Sequence, residues 1–254
     1  MKKKILKILK NIHNIFIYPE IIKYFFTWKL FSLASYKIAI AIKKLGINPD
    51  CIIDVGGNIG QFSYSVSKIL KPNKLILFEA NKSLNNELKK NLSEFSNISI
   101  FLKGLSNKPE VRNFNIYGDS QTSSFNEIGK DRNNFFTPDD TKIKEMLEIE
   151  TDTLDNFISL NSKMINNLDR TLLKLDVQGY ELEILKGCKE NIKRFKWIIL
   201  EISHDSLYKN QPTFDALYKF LTENNFLLSR PLNYHYQPGS KLIMESDMLF
   251  INNN

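Results

Sequence analysis

The sequence predicts a doubly wound α/β domain preceded by a basic, amphipathic N-terminal arm. Three observations carry this. Short apolar runs alternate with amphipathic stretches from Asp50 onward, a glycine-rich turn follows the first run, and acidic residues stand where later runs end. Strands alternating with helices of about 10–15 residues indicate βαβ units and a mostly parallel sheet. With 254 residues, 43% hydrophobic and 25% charged, the chain has the composition of a globular domain that buries a full core without covalent staples.

The arm comes first, over residues 1–46. Ile5, Ile8, Leu9, Ile12 and Phe16 follow helical i, i+3, i+4, i+7 spacing with lysines on the other face, and Pro19 predicts the end of that helix. The lysines at 7 and 10 interrupt the apolar run that a signal peptide or a spanning helix requires. A second helix is expected from Lys29 to Leu45, ending near Gly46. Residues 1–44 hold ten lysines against Glu20 alone, a charge of +9, while the whole chain carries +7. The remaining 210 residues are therefore slightly acidic, and a domain gripping a polyanion carries its positive charge on the gripping face. Nucleic acid is accordingly not an expected partner. Two readings of the arm stay open: its apolar stripe packs on its own domain, which is preferred, or it makes peripheral contact with an anionic membrane surface.

The body, 47–254, begins with strand Cys51–Val55 and the helix Gln61–Leu70. Strand Lys74–Glu79, helix Ser83–Phe95 and strand Ile98–Leu102 follow. Strands are expected again at Thr171–Val177 and Trp197–Ile202, with helix Tyr180–Ile192 between them. Helix Thr213–Asn225, strand Phe226–Pro231 and a last strand near Asp247–Ile251 complete the pattern. Residues 103–150 break the rhythm and read as an irregular, lid-like insertion, with Ser123 and Ser124 placed near the mouth of an acceptor site. Cys51 and Cys188 sit in apolar runs and are expected to be free and buried, consistent with a cytoplasmic location.

The glycine turn is Asp54-Val-Gly-Gly-Asn-Ile-Gly60. Glycines between a strand and a helix let the backbone turn tightly and approach a ligand closely. The dinucleotide fingerprint needs glycines at relative positions 0, 2 and 5; here Gly56, Gly57 and Gly60 stand at 0, 1 and 4. Asp54 at the strand end suits an amino or sulfonium cation better than a pyrophosphate. Nineteen residues beyond Gly60, Glu79 ends the second strand and is followed by Ala80, where an acid can accept both hydroxyls of a ribose. In a third cluster, Lys174-Leu-Asp-Val-Gln-Gly-Tyr-Glu181, Asp176 closes a strand at the ligand-facing edge of the sheet and Glu181 falls in the first turn of the next helix.

Together with Asp152-Thr-Leu-Asp155 and Leu200-Glu-Ile-Ser203, these segments resemble the FkbM-type methyltransferases over about Asp50 to Ile251. Gly57 stands where many members carry Ala. The resemblance implies a class I methyltransferase (Rossmann-like) sheet with a reversed last strand and S-adenosylmethionine as donor. It also implies a hydroxyl acceptor, often on a sugar or glycan or another small molecule. On this reading Asp54, Gly56, Gly57, Asn58, Gly60, Glu79 and Ala80 hold the donor, and Ser123, Ser124, Gln178 and Glu181 meet the acceptor. Asp176, Glu201 and His204, at strand tips, are the candidate general bases. No dense ligand cluster suggests a metal. Two other classes remain open: a nucleotide-linked oxidoreductase, and a non-catalytic membrane-surface binding protein on a methyltransferase fold.

Overall fold

Apolar runs of four to seven residues form the parallel part of the sheet, as expected of strands covered on both faces. The computed structural model describes residues 19–129, 141–165, 167–237 and 240–253. Strands β1 (Cys51–Val55), β2 (Lys74–Phe78), β3 (Ile98–Phe101), β7 (Thr171–Leu175) and β8 (Trp197–Ser203) run parallel. Strand β10 (Ile243–Asn252) inserts antiparallel between β8 and β9 (Phe226–Tyr236), giving the order β3-β2-β1-β7-β8-β10-β9. The last strand is thus reversed, as the resemblance implied.

Alternate residues along each strand feed two cores. One face packs Ile53, Phe78, Leu173 and Leu200 beneath the helices α5 (Leu154–Leu160), α6 (Glu181–Lys186) and α7 (Phe214–Glu223). The other packs Ile52, Leu75, Leu77 and Ile199 beneath α3 (Gln61–Ile69) and α4 (Asn85–Leu92). Helix α2 (Leu33–Lys44) belongs to this second core through Ile38, Ala39 and Ile42, so a boundary at residue 46 does not divide the hydrophobic interior. Ser32 caps α2 by accepting from Ser35 N, and a shorter helix, α1 (Ile21–Thr27), precedes it. One helix from Lys29 was expected, and Ser32 is the capping signal it overlooked. The helix expected around Ile5 to Phe16 lies outside the described residues.

The insertion is a correction. Its described part is not irregular: β4 (Gly104–Leu105), β6 (Ile143–Asp152) and β5 (Glu110–Tyr117) form a three-stranded sheet in that order. Strand β5 has its interior side only partly covered, so the simple alternation that marks a strand is blurred in the sequence. Residues 130–140 lie outside the description. Two other elements differ in length. Helix α6 ends at Lys186 rather than Ile192, with Gly187 as its C-cap, packed so close to the chain that a Cβ there would meet Ser106 O at 2.0 Å. Strand β9 runs past Pro231 to Tyr236, because an outer strand with register shifts tolerates a proline. Cys51 and Cys188 are free and buried.

Candidate active site

A cleft of about 200 Å³ opens at the carboxyl ends of the parallel strands, where open α/β sheets place ligands. Its first half begins at the turn after β1. Gly56 takes φ +84°, and a Cβ there would meet Asp176 O at 1.9 Å, so only glycine lets the ends of β1 and β7 approach. Gly56 N and Gly57 N both donate to Phe78 O at 3.0 Å, fastening the turn to β2. Asn58, at φ +48°, donates its N–H to Glu79 Oε2 at 2.7 Å, and Asn81 N donates to Glu79 Oε1 at 2.8 Å. Each carboxylate oxygen retains a second lone pair, the arrangement a vicinal diol requires. Burial pushes the Glu79 carboxyl up to about 7, against the backbone donors of Asn81 and Asn58.

Gly56, Gly57, Asn58, Glu79 and Ala80, the residues assigned to the donor from the sequence, line this cleft together. Gly60 instead starts α3 at φ +95°, behind the lining. Asp54 also lies outside the lining. It is wholly buried below the turn, accepts from Ser63 Oγ at 2.6 Å, and has Lys174 Nζ 4.0 Å from its other oxygen. That oxygen has no hydrogen-bond partner. Burial raises the Asp54 carboxyl, opposed by Lys174 and Ser63. The sequence reading assigned Asp54 to a ligand's cation; the cation beside it is Lys174, a buried residue quoted in the third cluster but given no role.

The other half is a polar row running across four strands. Glu201 on β8 is in register with Asp247 on β10, and Asp247 with Asn233 on β9. Asp176, one residue beyond β7, continues the row on the other side. Lys174 Nζ lies 2.8 Å from Asp176 Oδ2. Gln178, held at φ +58°, donates through Nε2 to Asp176 Oδ1 at 3.2 Å and to Glu201 Oε2. The Tyr208 hydroxyl lies 2.7 Å from Gln178 Oε1 and 2.9 Å from Thr122 O. Burial alone would raise Asp176, but the Lys174 ammonium and hydrogen bonds from Glu201, Lys174 and Gln178 hold it below the usual carboxylate range. Burial and the charges of Asp176, Glu245 and Asp247 push Glu201 well above that range. The two shifts run in opposite directions, so within this pair Asp176 is the one favoured as the charged carboxylate. Asp247 is pushed up to about 6 by burial, partly offset by Lys174.

Three predicted residues are not brought to this half. His204 points away: its Nε2 lies 2.7 Å from Ser246 Oγ and its ring stacks near Phe214, outside the lining. Burial lowers its pKa. Glu181 accepts from Val177 N at 3.1 Å and Gly179 N at 3.2 Å, bracing the turn that carries Gln178. Ser124 is buried and donates to Gln178 O at 2.8 Å, tying the insertion to the same turn. Ser123 does line the cleft, beside Ser120, whose Oγ accepts from Asn58 Nδ2 at 3.2 Å. The insertion thus touches both halves. The histidine in the lining is His235, whose Nε2 is 3.1 Å from Asn233 Nδ2. Ending β9 at Pro231 hid it, as it hid Asn233.

A parallel sheet with one reversed strand between its last two, a glycine turn against β7 and an acid closing β2 define a class I, S-adenosylmethionine-dependent methyltransferase. The chain belongs to the FkbM methyltransferase family: the Methyltransferase FkbM domain matches residues 54–228. It is 23% identical over 193 residues to the 2-O-methyltransferase NoeI of Sinorhizobium fredii, covering 74% of this chain and 78% of that one. Among solved structures it is similar to M. capricolum TrmK in complex with S-adenosyl-homocysteine, at 13% identity and TM-score 0.49, covering 88% of this chain and 69% of that one. It is also similar to magnesium protoporphyrin IX methyltransferase from Synechocystis with bound S-adenosylmethionine, at 10% identity and TM-score 0.44, covering 85% and 76%. Family membership overrides the oxidoreductase alternative.

Proposed function

We propose that this protein transfers the methyl group of S-adenosylmethionine to a hydroxyl oxygen of an uncharged, hydroxyl-rich acceptor, a sugar or glycan. The observation that carries this is the polar row at the acceptor half. Asp176, Glu201, Gln178, Asp247 and His235 offer hydrogen-bonding groups to the cleft. The two lysines lining it are paired with carboxylates, Lys174 with Asp176 and Lys103 with Asp152 at 2.6 Å. Such a surface suits neutral hydroxyls and disfavours a phosphate-bearing acceptor, nucleic acid included. The name of the relative, a 2-O-methyltransferase, supports an oxygen nucleophile.

The donor supplies an electrophilic methyl group when bound. The glycine turn and Glu79 fit it: the turn admits a close backbone approach, and each Glu79 oxygen keeps a lone pair for a ribose hydroxyl. Asp176 stands where the acceptor half meets the donor half and takes the acceptor's hydroxyl proton as the oxygen–carbon bond forms and the carbon–sulfur bond breaks. Glu201 is tied to Asp176 through Gln178 Nε2, which donates to both carboxylates and holds the base in place. Orientation supplies most of the rate, up to about 7–11 kcal/mol, and the base adds about 10²–10⁴-fold.

The test is labelled methyl transfer to a panel of neutral glycosides and to RNA. Asp176→Asn is expected to lower turnover on the productive glycoside by about 10²–10⁴-fold with donor affinity changed only a few-fold. His204→Ala is expected to keep turnover. Transfer to RNA alone, or full activity in Asp176→Asn, would overturn the reading.

A further inference from the structure

Helix α1 is apolar on both sides. Ile21, Tyr24 and Trp28 face inward: Ile21 is buried, and the Tyr24 ring lies 4.7 Å from Trp28 and 5.7 Å from Tyr36. Trp28 in turn packs 5.7 Å from Tyr64 of α3, and Lys29 N donates to the Tyr64 hydroxyl at 3.0 Å. The segment is therefore fastened to the body. Its opposite side carries Ile22, Phe25 and Phe26 at i, i+3, i+4 spacing, and these are 47%, 64% and 79% exposed. Phe25 meets Phe26 edge-on at 5.4 Å and Phe31 at 6.2 Å, so the side chains form one aromatic patch. Lys23 and Thr27 form only a narrow polar strip beside this patch, and among the described residues no protein covers the Ile22–Phe25–Phe26 face, the arrangement of a helix at a lipid boundary.

Charge chooses between occupants. Lys23 is exposed on the same helix, and residues 1–18 add five lysines and no acid in sequence. Aromatic side chains bordered by lysines, next to a strongly basic stretch, match a surface that is negative outside and apolar a few ångströms below. A protein partner would need an acidic rim and an apolar centre together, whereas an anionic bilayer presents both everywhere. Position adds a consequence. The chain leaving α1 reaches Ser32, Ala34 and Ser35, which line the active-site cleft.

We infer that the Ile22–Phe25–Phe26 face of α1 docks the enzyme on an anionic lipid bilayer, with the cleft mouth held beside the membrane surface. This is independent of the acceptor proposed above. Among the described residues no helix is long and apolar enough to cross a membrane, so the contact is peripheral.

Cosedimentation of the full chain with phosphatidylcholine vesicles, with and without phosphatidylglycerol, tests it at low and high salt. Binding is expected only with phosphatidylglycerol and should fade at high salt. Phe25→Ser/Phe26→Ser, and separately Phe26→Glu, should weaken it by about tenfold or more while melting temperature and S-adenosyl-homocysteine affinity stay unchanged. The inference is overturned by no binding to anionic vesicles at low salt, by equal binding to neutral ones, or by variants that bind as the parent does. A lowered melting temperature in both variants would also overturn it, since the face would then be covered by the chain itself.

Discussion

Replacing Glu79 by glutamine isolates the electrostatics of the donor site from its shape. The carboxylate accepts Asn58 N–H on one oxygen and Asn81 N–H on the other, at 2.7 and 2.8 Å. Glutamine keeps one acceptor oxygen, but its NH₂ must then face one of those N–H groups, donor against donor. A ribose hydroxyl on that side loses its charged acceptor, about 1.5–3 kcal/mol, which is roughly 10- to 100-fold in affinity. The pH dependence gives a second reading. Burial pushes Glu79 up to about 7, so in the unliganded protein the carboxyl ionises across neutrality. Ionised Glu79 is the better acceptor for ribose hydroxyls, so donor affinity should rise between pH 6 and pH 8 and become flatter in Glu79→Gln. Stability moves the other way. A folded value raised above the unfolded one means that the native state holds more protons between about 4.5 and about 7, so Glu79's contribution to stability falls as pH rises through that window. Calorimetry with S-adenosyl-homocysteine at the two pH values, beside urea melts, measures both effects. A folded Glu79→Gln protein that binds within twofold of the parent at both values would refute the reasoning.

Two further outcomes follow from the packing. Gly56→Ala should abolish donor binding and lower the melting temperature, because its Cβ would fall 1.9 Å from Asp176 O, where neither strand end can yield cheaply; retained affinity would mean the turn rearranges freely. Lys174→Met should cost about 3–5 kcal/mol in urea unfolding, since it leaves Asp54 buried beside Ser63 alone. In the same variant Asp176 loses the ammonium that holds it low, so the acidic limb of the pH–rate profile should shift upward; an unmoved limb would separate Lys174 from the base.

The glycine-turn half of the cleft was legible in the sequence because it is local. Gly56 through Gly60 and Glu79 stand at the ends of β1 and β2, whose continuous apolar runs announce buried parallel strands, and the order of those runs places both at one edge. The FkbM resemblance then implied the reversal of β10, which no local pattern shows. The polar row depends on which strands become neighbours. Asp247 reaches Glu201 only because β10 inserts between β8 and β9, and His235 enters the cleft only because β9 continues past Pro231. His204, one residue past β8, looked equivalent to Glu201 in sequence. Yet side chains alternate along the strand, and His204, whose N–H still donates to Met244 O, falls with Ile202 on the face opposite Glu201, where its Nε2 meets Ser246 Oγ. The same holds for Lys174: its composition context is a plain apolar run, and only the juxtaposition of β1 and β7 sets its ammonium between Asp54 and Asp176. Sequence alone determined the first parallel strands, the glycine turn and the acid that follows β2, since these follow from residue period and glycine geometry. Tertiary structure decided which carboxylates meet, which histidine faces the cleft and where α2 packs, because contacts between distant strands are set by sheet order rather than by any neighbour in the chain.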